Sequence, residues 1–495
     1  MQSVFQAALR SWSIPPVATF ALLLTALVYL RGWIDLRRAG STELPPWRAV
    51  TFLVGLLSLW VALASPLDTF SGFVLTAHML QHMLLMMVAP PLILLGAPLI
   101  PIVRGLPRFA AREFAGPFLN WPLANRIGTA LTNPICALLL MGLVTFLWHT
   151  PKLYELALGS SSWHEVEHAC FFLTSIIFWW PVVQPWPSRA QWPRWAMVPY
   201  LFVGDLQNTV LSAILVFSDQ VLYPSYALTP RLFGLSAQAD QAAAGAIMWV
   251  LGGFAYVFPA VVIAVHCLSK RPGVVPTRNR ERAPVDKSPS FRSKFPWLAD
   301  FLRPRIQGRT AEMVWFVVVF VVTGLCFSFL IATSSDDDDQ ALRLWKQSGP
   351  FSVAVFAPAG DLQAGPTSFG ILVQDRSTQE VLLDSAVDLS ARPTAAAGGP
   401  PSMVRATHED SENKLLQTAE LDLPKAGDWT VNIALSRNAE SANLSLPLRV
   451  VKRESGLGSL WPYFLYPGFG MVLFGAYVRR HHEPTASPLE QHVSS

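Results

Sequence analysis

Residues 78–91 read HMLQHMLLMMVAPP. Two imidazoles and four thioethers sit in a segment apolar enough to lie within a membrane span. His78 and His82 are four apart and share one helix face, and Met86 continues that ridge. Met79, Met83 and Met87 form a neighbouring ridge about 100° round the helix. Pro90 and Pro91 follow, and two prolines in a helix predict a kink or a break.

The theme repeats downstream. FLWHTP (146–151) places His149 at the end of the next apolar segment. WHEVEH (163–168) places His164 and His168 at the start of the one after, again four apart. His266, His408, His481, His482 and His492 lie elsewhere in the chain.

Composition sets the class. The 495 residues are 52% hydrophobic and only 14% charged, with mean hydropathy +0.37. Such a chain is a polytopic membrane protein rather than a soluble domain. A net charge of +4 needs no nucleic-acid partner, because basic loops between spans account for it. The four cysteines all fall in apolar segments at no disulfide or zinc-finger spacing.

Nine apolar segments approach the roughly 20 residues that cross hydrocarbon: 14–30, 49–67, 74–100, 133–149, 164–183, 196–218, 241–267, 312–332 and 459–478. The first is followed by Arg31, Arg37 and Arg38 and lacks a small-residue cleavage site, so it reads as a retained span. Lys and Arg crowd alternate loops: Arg104, Arg108, Arg112 and Arg126 after the third segment, then Arg189 and Arg194 after the fifth. The connector 268–311 holds eleven more. The opposite loops hold only Lys152 and Arg231. This alternation predicts an outside N-terminus and a cytoplasmic C-terminus, with all five clustered histidines at the outer ends of three consecutive spans.

The expected fold is an all-α polytopic membrane bundle of seven plus two spans, with an extracytoplasmic β-sandwich between spans eight and nine. Residues 1–268 form the seven-span bundle and 269–311 a cytoplasmic Pro/Arg-rich linker. Span eight is 312–332, the sandwich 333–456, span nine 457–480 and the cytoplasmic tail 481–495. The sandwich rests on FSVAVF, TSFGILV, EVLLDSAVDL, LLQTAELDL, WTVNIAL and ANLSLPLRVV, separated by Gly, Pro and Asp. The run Asp336–Asp339 reads as a solvated linker.

One imidazole at a membrane interface is ordinarily a hydrogen-bonded or belt residue, and methionines at helical spacing ordinarily pack. Two i,i+4 pairs plus a fifth histidine at one depth outweigh that reading. Imidazole suits Cu, Zn and Fe, and thioethers favour Cu(I). The expected site is therefore a copper centre near the outer face, inside the bundle, made by His78, His82, His149, His164 and His168, with Met79, Met83 or Met86 assisting. Zinc is the alternative. HEVEH also matches H-E-x-x-H, in which His164 and His168 would bind zinc and Glu165 would act as base of an intramembrane protease. A b-type haem protein with paired axial histidines and a copper transporter are two further readings.

VGDLQNT (203–209) puts Asp205 near mid-membrane beside Gln207 and Asn208. A buried acid there is either functional or a structural hydrogen-bonding group. Asp240, at the start of the seventh span, is a helix N-cap or an imidazole partner. Met403 and His408, in the outer domain, read as ordinary surface residues.

HMLQHMLLMMVAPPLILLGAP, WHTPKLYELAL and HEVEHACFFLTSIIFWWPVV, in that order, resemble the seven-span CtaG family of cytochrome c oxidase assembly factors over residues 15–268. The resemblance implies a bacterial plasma-membrane protein that serves maturation of haem–copper oxidases through copper, and it maps the five histidines onto the family's motif. It implies an oxidase subunit as partner and a periplasmic copper donor. GDWTVNIAL and the strand pattern of the outer domain are weakly similar to YtkA-like and FixH-like β-sandwiches.

Overall fold

The computed structural model describes residues 2–269 and 340–452, apart from 189, 359–361, 395–401, 410 and 439. The connector 270–311, apolar segments eight and nine, Asp336–Asp339, Cys326, His481, His482 and His492 lie outside the described residues.

Prolines start many of the helices. A proline at the first helical position loses no hydrogen bond, and its φ is already helical. Long helices α1 (Pro16–Arg38) and α2 (Pro46–Ala64) begin this way, as do short helices Pro66–Ser71, Pro151–Leu158 and Pro224–Leu228. The other long helices are α3 (Leu75–Leu95), α4 (Pro134–Trp148), α5 (Ser161–Val183), α6 (Arg194–Phe217) and α7 (Ala237–Ser269). Six of the seven are long and apolar enough to cross a membrane, so this is a multi-pass membrane protein. The exception is α4, which has 15 residues. That is roughly 22 Å at 1.5 Å per residue, short of about 30 Å of hydrocarbon. It reaches spanning length only together with Pro122–Leu131, bent 71° from it. The bend follows from Asn133–Pro134: a residue before proline avoids helical backbone, and the Asn133 side chain caps Ile135 N at 3.0 Å.

The prolines of α3 act differently from the predicted kink. The helix widens into a π-turn over Leu84–Val88 and resumes as Ala89–Leu95, with Pro90 and Pro91 in its first turn. The Met86 carbonyl faces positions i+4 and i+5, both prolines without an N–H. Trp179 Nε1 donates to it instead, at 3.0 Å. Elsewhere the bundle closes on small residues. A Cβ on Gly32 would lie 1.8 Å from Pro101 O, and one on Gly105 1.8 Å from Val28 O. Glycine is what lets these backbones approach.

The second region is a β-sandwich. One sheet has the order β1 (Gln340–Ser348), β2 (Phe351–Pro358), β4 (Gly365–Asp375) and β7 (Gln417–Leu423). The other has the order β3 (Leu362–Gln363), β9 (Glu440–Val451), β8 (Gly427–Arg437), β5 (Ala386–Pro393) and β6 (Ser402–Arg405). Phe351, Val353 and Val355 of the first sheet meet Val387, Val431 and Ile433 of the second in one core. EVLLDSAVDL is only partly strand: Val381 makes an isolated bridge and β5 starts at Ala386. β1, β3 and β6 add strands to those the sequence suggested.

FSVAVF is buried on both faces. Its second face explains why residues on both faces of the segment are apolar, Ser352 excepted. Ala354, Phe356 and Leu372 pack with Ala8, Phe70 and Leu232 of the bundle, and Phe356 meets Phe73 edge-on at 5.3 Å. Lys414 N donates to Ser11 Oγ at 2.9 Å, and Gln374 Nε2 to Arg231 O at 2.8 Å. The sandwich therefore rests on the residues that lead into His78.

Candidate metal centre

Three helices bring the donors together. α3 begins three residues before His78, and its first turn has no cap of its own. Asp240 of α7 supplies one: its carboxylate accepts from Leu75 N at 2.7 Å, Thr76 N at 3.1 Å and Thr76 Oγ1 at 2.6 Å. A carboxylate at a helix N-terminus meets both orphan N–H groups and the positive end of the dipole. Asp240 is thus a cap, but for a neighbouring helix, and it fixes the turn that carries His78. His149 closes α4, its Nδ1 donating to Thr145 O at 2.8 Å. α5 presents His164, Glu167 and His168 on one face, at i, i+3 and i+4.

The result is a compact cluster. The His78 ring centroid lies 5.0 Å from that of His164 and 6.3 Å from that of His168. The His82 ring lies 5.4 Å from His168 and 6.2 Å from His149. Glu167, fully buried, has its carboxylate 3.8 Å from His78 Nε2 and 4.0 Å from His82 Nε2. The ligand atoms of His78, His82 and His168 lie within 4.8 Å of one another, as do those of His78, His164 and Glu167. A metal about 2 Å from each imidazole nitrogen holds opposed ligands at most ~4 Å apart. Small ring rotations close either set.

The surrounding hydrogen bonds assign the tautomers. Tyr226 Oη donates to Ser71 O at 2.6 Å, so its oxygen accepts from His78 Nδ1 at 3.1 Å. His78 Nε2 then carries a lone pair toward His82 Nε2, 2.9 Å away. His149 is fixed the same way by Thr145, leaving its Nε2 lone pair free. Such outer hydrogen bonds aim metal-binding imidazoles. His149 Nε2, His164 Nε2, His168 Nε2 and both Glu167 oxygens are buried with no hydrogen-bond partner among the described residues. Leaving so many buried polar atoms unpaired costs on the order of 1–3 kcal/mol each. A cation among them would satisfy them together, so the donor set fits a metal.

All five expected histidines meet here. The methionines divide: Met83 and Met86 line a small cavity beside His82 and His149, whereas Met79 is packed into the bundle core. Asn208 lines the same cavity and donates to Met248 O at 3.0 Å. Asp205 stays apart from the histidines; it is half-buried, and its Oδ1 is without a hydrogen-bond partner among the described residues. His408 turns its ring nitrogens to Leu416 O (2.9 Å) and Leu383 O (3.2 Å), a structural role, and Met403 is exposed.

Glu167 is the residue that sequence reasoning missed. H-E-x-x-H draws the eye to Glu165, which is exposed. Helical spacing alone puts Glu167 with His164 and His168. Tyr226, which aims His78, had no local signal: it sits in a short helix 148 residues away.

The profile of the family described as Cytochrome c oxidase caa3 assembly factor (Caa3_CtaG) matches residues 27–270. Uncharacterized protein ML1998 of Mycobacterium leprae (strain TN) is 25% identical over 263 residues, 52% of this chain and 39% of that protein. Uncharacterized protein Mb0105 of Mycobacterium bovis (strain ATCC BAA-935 / AF2122/97) is 28% identical over 257 residues, 49% of this chain and 37% of that protein. The chain thus spans under two fifths of the length of these relatives. No solved structure matches it. Residues 27–270, which hold every residue of the histidine cluster, belong to the cytochrome c oxidase caa3 assembly factor family, CtaG.

Proposed function

We propose that the protein is a copper-handling assembly factor for a haem–copper oxidase, and that His78, His82, His149, His164 and His168, with Glu167, hold the copper as cargo. The observation that carries this reading is the convergence of five imidazoles from three helices, four of them buried and His164 half-buried, with Nε2 of His149, His164 and His168 lacking a hydrogen-bond partner among the described residues. Imidazole binds copper and zinc alike, and the nearby thioethers of Met83 and Met86 favour Cu(I). The protease alternative loses support, because Glu165 is exposed. The cavity beside the imidazoles is about 20 Å³, sized for an ion rather than a porphyrin.

The arginine-rich loops support a position for the cluster at the outer face of the bacterial plasma membrane. A donor set below the headgroups suits delivery to an oxidase subunit whose metal site is itself buried in the membrane, with a periplasmic donor supplying the ion. Neutral imidazoles release copper more readily than a closed thiolate cage. Tyr226 and Thr145 keep two imidazoles aimed while the ion arrives and leaves.

The test is genetic. Deleting the gene under limiting copper is expected to leave oxidase depleted of copper, and the His78→Ala/His82→Ala variant is expected not to restore it. Normal oxidase copper and activity in the deletion strain would overturn the proposal.

A further inference from the structure

Beyond His82 and His149, on the side away from the sandwich, the bundle holds a second group of soft donors. The two histidines form one wall of the cavity of about 20 Å³. Its other walls include Met83, Met86 and Met87 from α3, Met141 from α4 and Met248 from α7. Five of the eleven methionines in the chain thus meet at one void. All five are buried. The space suits one water or one ion.

Packing alone does not call for sulfur here, because leucine fills such positions in membrane helices equally well. The backbone is also arranged around these side chains. Met86 and Met87 are adjacent, and in a regular α-helix they would diverge by about 100°. The π-turn that carries them lets both line the cavity. That turn exists because Pro90 and Pro91 cannot donate and Trp179 takes their place on Met86 O. Wide turns of this kind occur often at functional sites. The Met141 sulfur already accepts from Thr174 Oγ1 at 3.7 Å and Ser175 Oγ at 3.6 Å. Four thioethers, those of Met83, Met86, Met87 and Met248, remain as ligands.

We infer that this cavity is a second metal station, selective for a soft monovalent cation of the Cu(I) class, sharing a wall with the histidine centre. The inference rests on the copper reading of that centre. His82 and His149 face both stations, so an ion passes from imidazole to thioether ligands without entering lipid. Thioethers bind Cu(I) but not Zn(II) with preference, so the deeper station also filters the cargo.

The experiment uses the full chain in detergent, titrated without oxygen with Cu(I) and separately with Ag(I), with X-ray absorption to identify the ligands. The wild type is expected to bind two ions per chain, with both nitrogen and sulfur scattering. Met83→Leu/Met86→Leu/Met87→Leu/Met248→Leu is expected to bind one, with nitrogen scattering only. His78→Ala/His82→Ala is expected to keep one sulfur-bound ion. If the fourfold variant does not fold, Met86→Leu/Met87→Leu and Met83→Leu/Met248→Leu are each expected to weaken the sulfur-bound ion at least tenfold. One nitrogen-bound ion and no sulfur scattering in the wild type would overturn the second station and leave the histidine centre standing. A sulfur-bound ion alone would overturn the histidine centre instead. No bound ion would overturn both.

Discussion

Asp240 acts on the metal centre without touching it. Its carboxylate closes the first turn of α3, and His78 lies one turn on. Asp240→Ala leaves two buried N–H groups unpaired, and the expected loss is about 2–4 kcal/mol of stability. Copper affinity should fall with it, and Asp240→Asn should recover part of both; thermal melts and copper titration check this. Asp68 makes a pH prediction. Burial pushes its carboxyl up from 3.8 to about 6, against the Gln81 hydrogen bond, with Glu412 and Glu165 adding to the rise. A raised acid favours the protonated folded state, so its stabilisation is complete below about pH 4 and lost as pH rises through about 6. The loss is roughly 2–3 kcal/mol. Asp68→Asn keeps the acceptor for Gln81 and should flatten the wild-type fall in Tm between pH 4.5 and 7. At this scale the histidines were legible because i,i+4 pairs declare a shared face. Glu167 was legible by the same rule. Tyr226 was not, because its bond to His78 is made only by tertiary folding.

At the scale of the element, the π-turn of α3 depends on an indole. Trp179→Phe removes the donor to Met86 O and leaves that carbonyl buried and unpaired. The expected cost is about 1–3 kcal/mol, read in thermal melts, with Cu(I) binding weakened because Met86 and Met87 lose their placement. The prolines announced an irregularity in the sequence, but not its form. Whether a helix kinks or widens depends on the partner for the freed carbonyl, and Trp179 lies 93 residues away. The length of α4 was hidden for a related reason. Apolarity runs through 133–149, yet Asn133–Pro134 turns the chain by 71° just before it. The strands FSVAVF, TSFGILV, WTVNIAL and ANLSLPLRVV were legible from alternation and turn residues. The edge strands β3 and β6 are too short to show a period.

Across the whole molecule, the sandwich and the bundle share an apolar seam at the end that holds the histidines. Phe356 is central to it, 4% exposed and edge-on to Phe73. Phe356→Asp puts a charge into this seam and should release the sandwich, made visible by faster proteolysis between the two regions while the bundle keeps its melting behaviour. An unchanged cleavage rate would mean that the seam does not hold them. The doubly apolar pattern of β2 was the sequence trace of this contact, though nothing in it named the bundle as the covering surface.

The most direct measurement is metal analysis of the detergent-purified chain, expressed with copper and zinc both available, beside a His78→Ala/His82→Ala variant that still folds. Copper in the wild type, lower by one ion per chain in the variant, with no haem absorption, is the predicted result. Zinc in place of copper, or copper retained in full by the variant, would contradict the account.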